Sequence, residues 1–423
     1  MDPILLPYGD SEISVPLPGG AEPEIADCTL PDPLPDTSLS IKKTLEHPEG
    51  CCHLSGLIPA SGRIAVLVSD LTRGRTAAAV LVPVLEYLER HGAGPQQTTI
   101  YIASGMHRDQ SAAEIEAQLG AAVAGRYSIV QHDARDKSSL VEAGTTSYGT
   151  RCLFNRRVVE SALVIGAGAV SFHYFAGFGG GRKLILPGIS GEETIMANHR
   201  LSLRDDPAEG PARGCGPGIL DGNPVHEDMI EGASFMPGPV FMICAVTGAG
   251  GEPAFVSAGD IDAAHRTSVS KLRELYTLHP GRRRKIVVAS AGGSPKDINL
   301  LQAHKAIRHA SLAVEDGGLL LMAAACREGI GSESLEEDFS GGRDEVPSRV
   351  SRKYTLNSQA AMSIHEITGR IEVRLLSGLS DDSLKKFGFG RWRAEETAFL
   401  TDGLPAGEVL VIPDTASFLL KIE

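Results

Sequence analysis

The chain lacks any apolar run long enough to cross a bilayer: its longest, Leu319 to Cys326, falls far short of the roughly 20 residues that a spanning helix needs. It also lacks an excess of positive charge. Forty Lys and Arg against 53 Asp and Glu leave a formal net charge of −13, which repels a phosphate backbone and argues against nucleic acid or an anionic membrane as a main partner. The Met1-Asp2 start has neither the basic nor the apolar region of a secretory signal, so a cytoplasmic location is expected. Cysteine is scarce: seven, an odd number without zinc spacing, indicate reduced thiols rather than a disulfide framework. Only the adjacent Cys51-Cys52-His53 offers a cysteine-based donor set for a metal. Standard nucleotide signatures are missing too. Lys183 is followed by Leu184 instead of Ser or Thr, and Gly166-Ala-Gly168-Ala-Val-Ser171 lacks the third glycine of the dinucleotide fingerprint; ATP hydrolysis and NAD binding both lose support.

What is present points to two domains. A chain of 423 residues exceeds one ordinary core at roughly 100–200 residues per domain. With 48 Gly and 25 Pro, about 17% against roughly 12% in average usage, turns must be numerous. Short apolar runs alternate with helical patterns: Arg63 to Ser69, Thr98 to Ala103, a weaker Tyr127 to Val130, and Ser161 to Ile165. Ser111 with Glu114, and Ser190 with Glu193, each read as a capping box opening a helix. This alternation predicts an α/β fold with mainly parallel, doubly wound, Rossmann-like sheets. Thr277 to Arg284 is rich in breakers and reads as a linker, after which Lys285 to Ser290, a helix within Asp297 to Val314, and Leu319 to Ala325 begin a second unit. The expected division is 1–276 for an N-terminal catalytic and cofactor-binding domain, rejoined by 405–423, and 282–404 for a C-terminal domain contacting substrate across a cleft. The first 60 residues read as extended segments, and 332–352 as an exposed connection.

Ligands of open parallel sheets sit beyond the carboxyl ends of the strands. The polar residues there are Asp70 and Arg73, His107, and His173 with Arg182 and Lys183. Gly177, Gly179, Gly180 and Gly181 allow close approach and positive φ, so their N–H groups form a candidate anion nest beside Arg182 and Lys183. His199 follows on the next helix. Gln302 and Lys305, at i and i+3, share one helix face and with Arg73 suit a carboxylate.

Together, Asp70-Leu-Thr-Arg73, Ser104-Gly-Met-His-Arg108, His173-Tyr-Phe-Ala-Gly-Phe-Gly-Gly-Gly-Arg-Lys183 running on to Asn198-His199, Gly292-Gly-Ser-Pro-Lys-Asp-Ile-Asn299 and Gln302 to Lys305 resemble the nickel-pincer lactate racemase family of 2-hydroxyacid racemases and epimerases. The resemblance implies a pyridinium mononucleotide with two thio-acid groups that hold nickel, carried on Lys183 as a thioamide, with His199 as a nickel ligand. It implies that the glycines and Arg182 seat this cofactor, that Asp70 contacts it or its surroundings, and that His107 and His173 are the acid/bases. Arg73, Gln302 and Lys305 then hold the substrate carboxylate, and proteins that make or load the cofactor are implied partners. The chemistry is sensible from below: the α C–H of an ionised 2-hydroxy acid is a poor acid, and oxidation to a ketone by hydride loss avoids a carbanion. Imidazole, with an unperturbed pKa of about 6.5, suits the hydroxyl proton. Leu301 stands where lactate-type members carry Tyr, which leaves the particular 2-hydroxy acid open. Two other readings are a metal-dependent hydrolase using His107, His173 and His199 as ligands, and a non-catalytic anion-binding or sensor protein.

Overall fold

A computed structural model describes residues 3–16, 23–27, 29–71 and 76–422. The central apolar runs become strands because they are buried on both faces between helices, whereas the weaker third run forms a partly exposed edge strand. The first sheet contains β1 (Ile64–Ser69), β2 (Thr98–Ala103), β3 (Ser128–Gln131), β4 (Leu163–Ala169), β5 (Val240–Thr247) and β6 (Pro253–Gly259). Their order is β6-β5-β4-β1-β2-β3, parallel throughout except for the antiparallel β5/β6 edge. The chain leaves β1 towards β2 on one side and returns to β4 on the other. The carboxyl ends of β1 and β4 therefore flank the switch point where such sheets bind ligands.

The helices that position the site are α1 (Thr76–Arg90), α2 (Ala112–Leu119), α3 (Glu192–Arg200), α4 (Pro224–Ser234) and α5 (Ala263–Tyr276). Helix α1 runs through Pro83, and the Ser111/Glu114 capping box opens α2 in both its hydrogen bonds. The second box does not form. Gly191 caps α3 without a side-chain bond, because the Ser190 hydroxyl donates to the Ile185 carbonyl at 2.8 Å and the Glu192 N–H is satisfied by the Ala134 carbonyl.

The second sheet is wholly parallel: β7 (Arg284–Ser290), β8 (Val314–Ala323), β9 (Glu372–Leu376), β10 (Gly390–Arg391) and β11 (Val409–Ile412), in the order β10-β9-β8-β7-β11, with Glu24–Ile25 as the outer edge. It is covered by α6 (Leu300–Ser311), α7 (Glu333–Asp338), α8 (Val346–Arg352) and α9 (Ser358–Arg370). Three expectations are corrected. The segment 405–423 does not rejoin the first sheet, since β11 pairs with β7. The N-terminus, assigned to the first domain, lies on the second: the hairpin Ile4–Tyr8/Ser11–Val15 packs Leu6 and Val15 into the core with Val288 and Leu321, and Arg284 pairs with Glu24. Residues 332–352 are short helices that bury Leu335, Val346 and Val350, not an exposed connection. The breaker-rich stretch at the boundary is itself a strand, Thr277–Gly281, paired in parallel with Leu419–Ile422.

No helix among the described residues is long and apolar enough to cross a membrane. The described cysteines are free thiols, and the described residues contain no group of three His, Cys, Asp or Glu able to hold a metal, Cys51-Cys52-His53 included.

Candidate active site

Asp70 lies directly after β1, His107 in the loop after β2, and His173 just beyond β4. The His107 loop is held towards the Lys183 block by the Gly105 N–H, which donates to the Gly188 carbonyl at 3.0 Å. Asp70 is buried and accepts a hydrogen bond from His107 Nδ1. A cavity of about 240 Å³ adjoins His107 and is lined also by Arg108, Asp109, His132, Asp133 and Arg135.

Phe175 gathers the other candidates. Its ring lies edge-on to His173 at 4.6 Å between centroids and to His199 at 5.0 Å, while Lys183 Nζ stands 5.5 Å from its centre. An aromatic face attracts an ammonium through its quadrupole, so one ring locates an amine and two imidazoles. His173 is buried and accepts from the Ala176 N–H at 3.3 Å.

His199, near the end of α3, is shaped by its neighbour. The Asn198 amide donates to Asp228 at 2.8 Å and to the Val225 carbonyl at 3.1 Å, which turns its oxygen towards His199 Nδ1 at 3.1 Å. That oxygen only accepts, so Nδ1 carries the proton and the lone pair is on Nε2. Asp228 on α4 is completely buried and also accepts from Thr146 and Thr150. Burial, with the Lys183 and His107 charges adding to it, pushes the His199 imidazole down to about 3. A neutral imidazole with an available nitrogen is what a metal requires.

The glycine-rich loop is glycine for reasons of packing. A Cβ on Gly177 would sit 1.8 Å from the Ile219 carbonyl oxygen, on Gly180 2.4 Å from that of Ala169, and on Gly181 2.6 Å from the His265 ring. The Gly179 N–H is used on the Ser171 carbonyl at 2.7 Å. Arg182 departs from its expected place facing a cofactor. It is fully buried, donating to the Ala176 carbonyl at 2.9 Å and to His265 Nε2 at 3.0 Å, so its guanidinium braces the loop.

From the second domain, Asn299 caps α6 by accepting from the Gln302 N–H at 3.0 Å. Lys305 donates to the Gln302 side chain at 2.7 Å, so the two form one polar group. Between them His304 meets the Tyr174 ring at 4.6 Å, which docks this helix face against the His173 segment. Arg73 lies outside the described residues. Asp228, Asn198 as an orienting group, and the Phe175 and Tyr174 contacts were not read as functional from sequence; only their presence in or near the His173–His199 block offered a signal.

The lactate racemase N-terminal domain family matches residues 8–210, and the lactate racemase C-terminal domain family matches residues 281–378. The chain is 31% identical over 304 residues to a lactate racemase of Thermoanaerobacterium thermosaccharolyticum, covering 72% of this chain and 69% of that one. It is 29% identical over 397 residues to a lactate racemase of Lactiplantibacillus plantarum, covering 90% of each. The solved lactate racemase apoprotein from T. thermosaccharolyticum superposes with a TM-score of 0.87 at 26% identity, covering 99% of this chain and all of that one. A protein from Thermotoga maritima shares the fold at a TM-score of 0.72 and 16% identity, covering 93% of this chain and all of that one. With both halves matched in order along the sequence and the whole architecture shared, the chain belongs to the lactate racemase family.

Proposed function

We propose that the protein is a 2-hydroxyacid racemase or epimerase that works with a nickel-pincer pyridinium nucleotide carried on Lys183. Membership of the family makes it an isomerase that depends on a cofactor. The observation that carries the finer reading is the grouping of Lys183, His173 and His199 around Phe175. The donor set fits this group. His199 is neutral and oriented by Asn198. The hydrolase reading, which requires His107, His173 and His199 to converge on one ion, is weakened because the described residues contain no group of three donors able to hold a metal.

When bound, the cofactor supplies an electron-poor carbon that accepts hydride from the substrate and returns it. The protein does the rest. Gln302 and Lys305, with Arg73, hold the carboxylate and so fix the α-carbon. His107 and His173 exchange the hydroxyl proton, and Asp70 orients the His107 ring through its bond to Nδ1. Proteins that make or load the cofactor are the expected partners.

The test is co-production with a cofactor-making pathway, followed by intact mass, nickel analysis and a racemisation screen over chiral 2-hydroxy acids. A mass adduct at Lys183 with one nickel is expected. Racemisation of an α-deuterated substrate in ordinary water should retain the label at the α-carbon. Unmodified Lys183 without nickel sinks the cofactor assignment, and loss of label to water sinks hydride transfer.

A further inference from the structure

The two histidines of the site differ in what lies against Nδ1, and the difference fixes their protons. His107 Nδ1 faces the Asp70 carboxylate, which only accepts. Neutral His107 therefore carries its proton on Nδ1 and a lone pair on Nε2. His173 Nδ1 faces the backbone N–H of Ala176 at 3.3 Å, which only donates. Neutral His173 must keep its lone pair on Nδ1 and its proton on Nε2.

We propose that His107 and His173 are held in opposite tautomers by the fold, so that the resting enzyme has a ready base at His107 and a ready hydrogen-bond donor at His173. The polarity is built in. The Ala176 N–H lies in the tight hairpin in which Phe172–His173 pairs with Gly177–Phe178, and the Ala176 carbonyl is gripped at 2.9 Å by the buried Arg182 guanidinium. This N–H cannot turn away without loosening a packed loop, and charging His173 would set an Nδ1–H against it. Arg182 is thereby a positioning residue for His173.

The consequence for turnover rests on the racemase reading. One enantiomer presents its hydroxyl to His107 and meets a lone pair; the O–H bond breaks, its electron pair stays on oxygen and the proton goes to His107 Nε2, the product oxygen then takes the His173 Nε2 proton, and His107 passes its extra proton back to His173 through solvent, so that both rings end neutral. The mirror image presents its hydroxyl to His173 and meets an N–H, so it reacts only after His173 gives up Ala176 and shifts its proton to Nδ1. A racemase has an equilibrium constant of one, which forces kcat/KM to be equal for the two enantiomers. The asymmetry must then appear as kcat and KM differing together by one factor, roughly two- to tenfold, the worth of one neutral hydrogen bond.

The decisive experiment needs no cofactor. Two-bond 1H–15N correlation spectra of the histidine-labelled apoprotein at pH 7.5, assigned with His107→Gln and His173→Gln, distinguish the two tautomers directly. The expected result is an Nδ1–H ring for His107 and an Nε2–H ring for His173, with Asp70→Asn altering only the former and Arg182→Lys broadening or shifting only the latter. Both rings in one tautomer, or a charged His173, overturns the proposal. The tautomers decide it even if the loaded protein racemises no acid, and that separate outcome refutes the racemase reading instead. In an active loaded enzyme, equal kcat values for the two enantiomers overturn the proposed consequence.

Discussion

Acidification should destabilise the fold well before ordinary carboxylates titrate, because several imidazoles are buried without charge. His226, His304 and His309 are 2%, 0% and 3% exposed. Burial pushes the first two down to about 3 and the third to about 4. In the unfolded chain each titrates near 6.5. A depressed folded value means that the unfolded state binds more protons, so the stability is complete above pH 6.5 and is lost as pH falls from there towards 3–4. From pH 7.5 to pH 5, at 1.36 kcal/mol per pKa unit, each imidazole removes about 2 kcal/mol, and the three together about 6. Asp338 acts oppositely: burial raises it to about 6, so protonating it in the native state returns about 1 kcal/mol over the same range. The net loss is about 5 kcal/mol, comparable with the whole stability of many domains, and His132 and His265, both shifted down by burial, act in the same direction. Thermal unfolding followed by circular dichroism at pH 7.5, 6.5, 5.5 and 5.0 should show Tm falling by roughly 10–20 °C at about 2–4 °C per kcal/mol. Calorimetry in buffers of different ionisation enthalpy should show uptake of two or more protons on unfolding near pH 5.5. A flat Tm down to pH 5, or a fall that begins only below pH 4.5, would refute the assignment of neutral buried imidazoles.

Asp228→Ala leaves Thr146, Thr150 and Asn198 without their shared acceptor; it should cost about 3 kcal/mol by urea unfolding and weaken nickel retention of the loaded protein roughly tenfold or more by dialysis against a chelator. Gly177→Ala places a methyl 1.8 Å from a backbone oxygen at φ +75°; it should cost more than about 3 kcal/mol, read as loss of soluble protein, whereas Gly92→Ala, with open space around it, should cost about 1. Lys305→Ala removes a carboxylate contact and the partner of Gln302; steady-state kinetics of the loaded enzyme should show KM raised roughly tenfold or more with kcat changed less.

The parallel sheets were legible because strands buried on both faces leave continuous apolar runs, and Ser111 announced α2 because its capping partners are three residues apart. What was not legible depends on partners remote in sequence. Nothing near Glu24 or Leu410 reveals that their strands pair, Leu410 opposite Glu24, and the Ser190-Gly-Glu-Glu193 string matches a capping box although the Ser190 hydroxyl is claimed by Ile185. The helices in 332–352 were hidden by their charge, since each is too short for a clear 3.6-residue stripe, although Leu335, Phe339, Val346 and Val350 all reach the core. At the site the residue types were readable but not their directions. Arg182 stands beside Lys183 in sequence, yet the turn between Gly180 and Leu184 sends its guanidinium inward to Ala176 while the Lys183 ammonium lies over Phe175. A string of residues carries no information on which side of a 3₁₀ turn each one faces.

The same limitation explains why Tyr174 escaped notice, and it bears on how two domains form one site. His173 belongs to the first domain and Lys305 to the second, so the substrate's hydroxyl and carboxylate would be held by separate bodies. Their separation must be fixed to within a fraction of an ångström for catalysis. Tyr174, next to His173 in sequence, meets His304, the residue before Lys305, at 4.6 Å. On the far side of the interface Ser351 on α8 donates to Asp206 at 2.7 Å. Among the contacts between the two domains, Tyr174 against His304 is thus made by immediate sequence neighbours of His173 and Lys305, which ties the spacing of those two site residues to the packing of one ring pair.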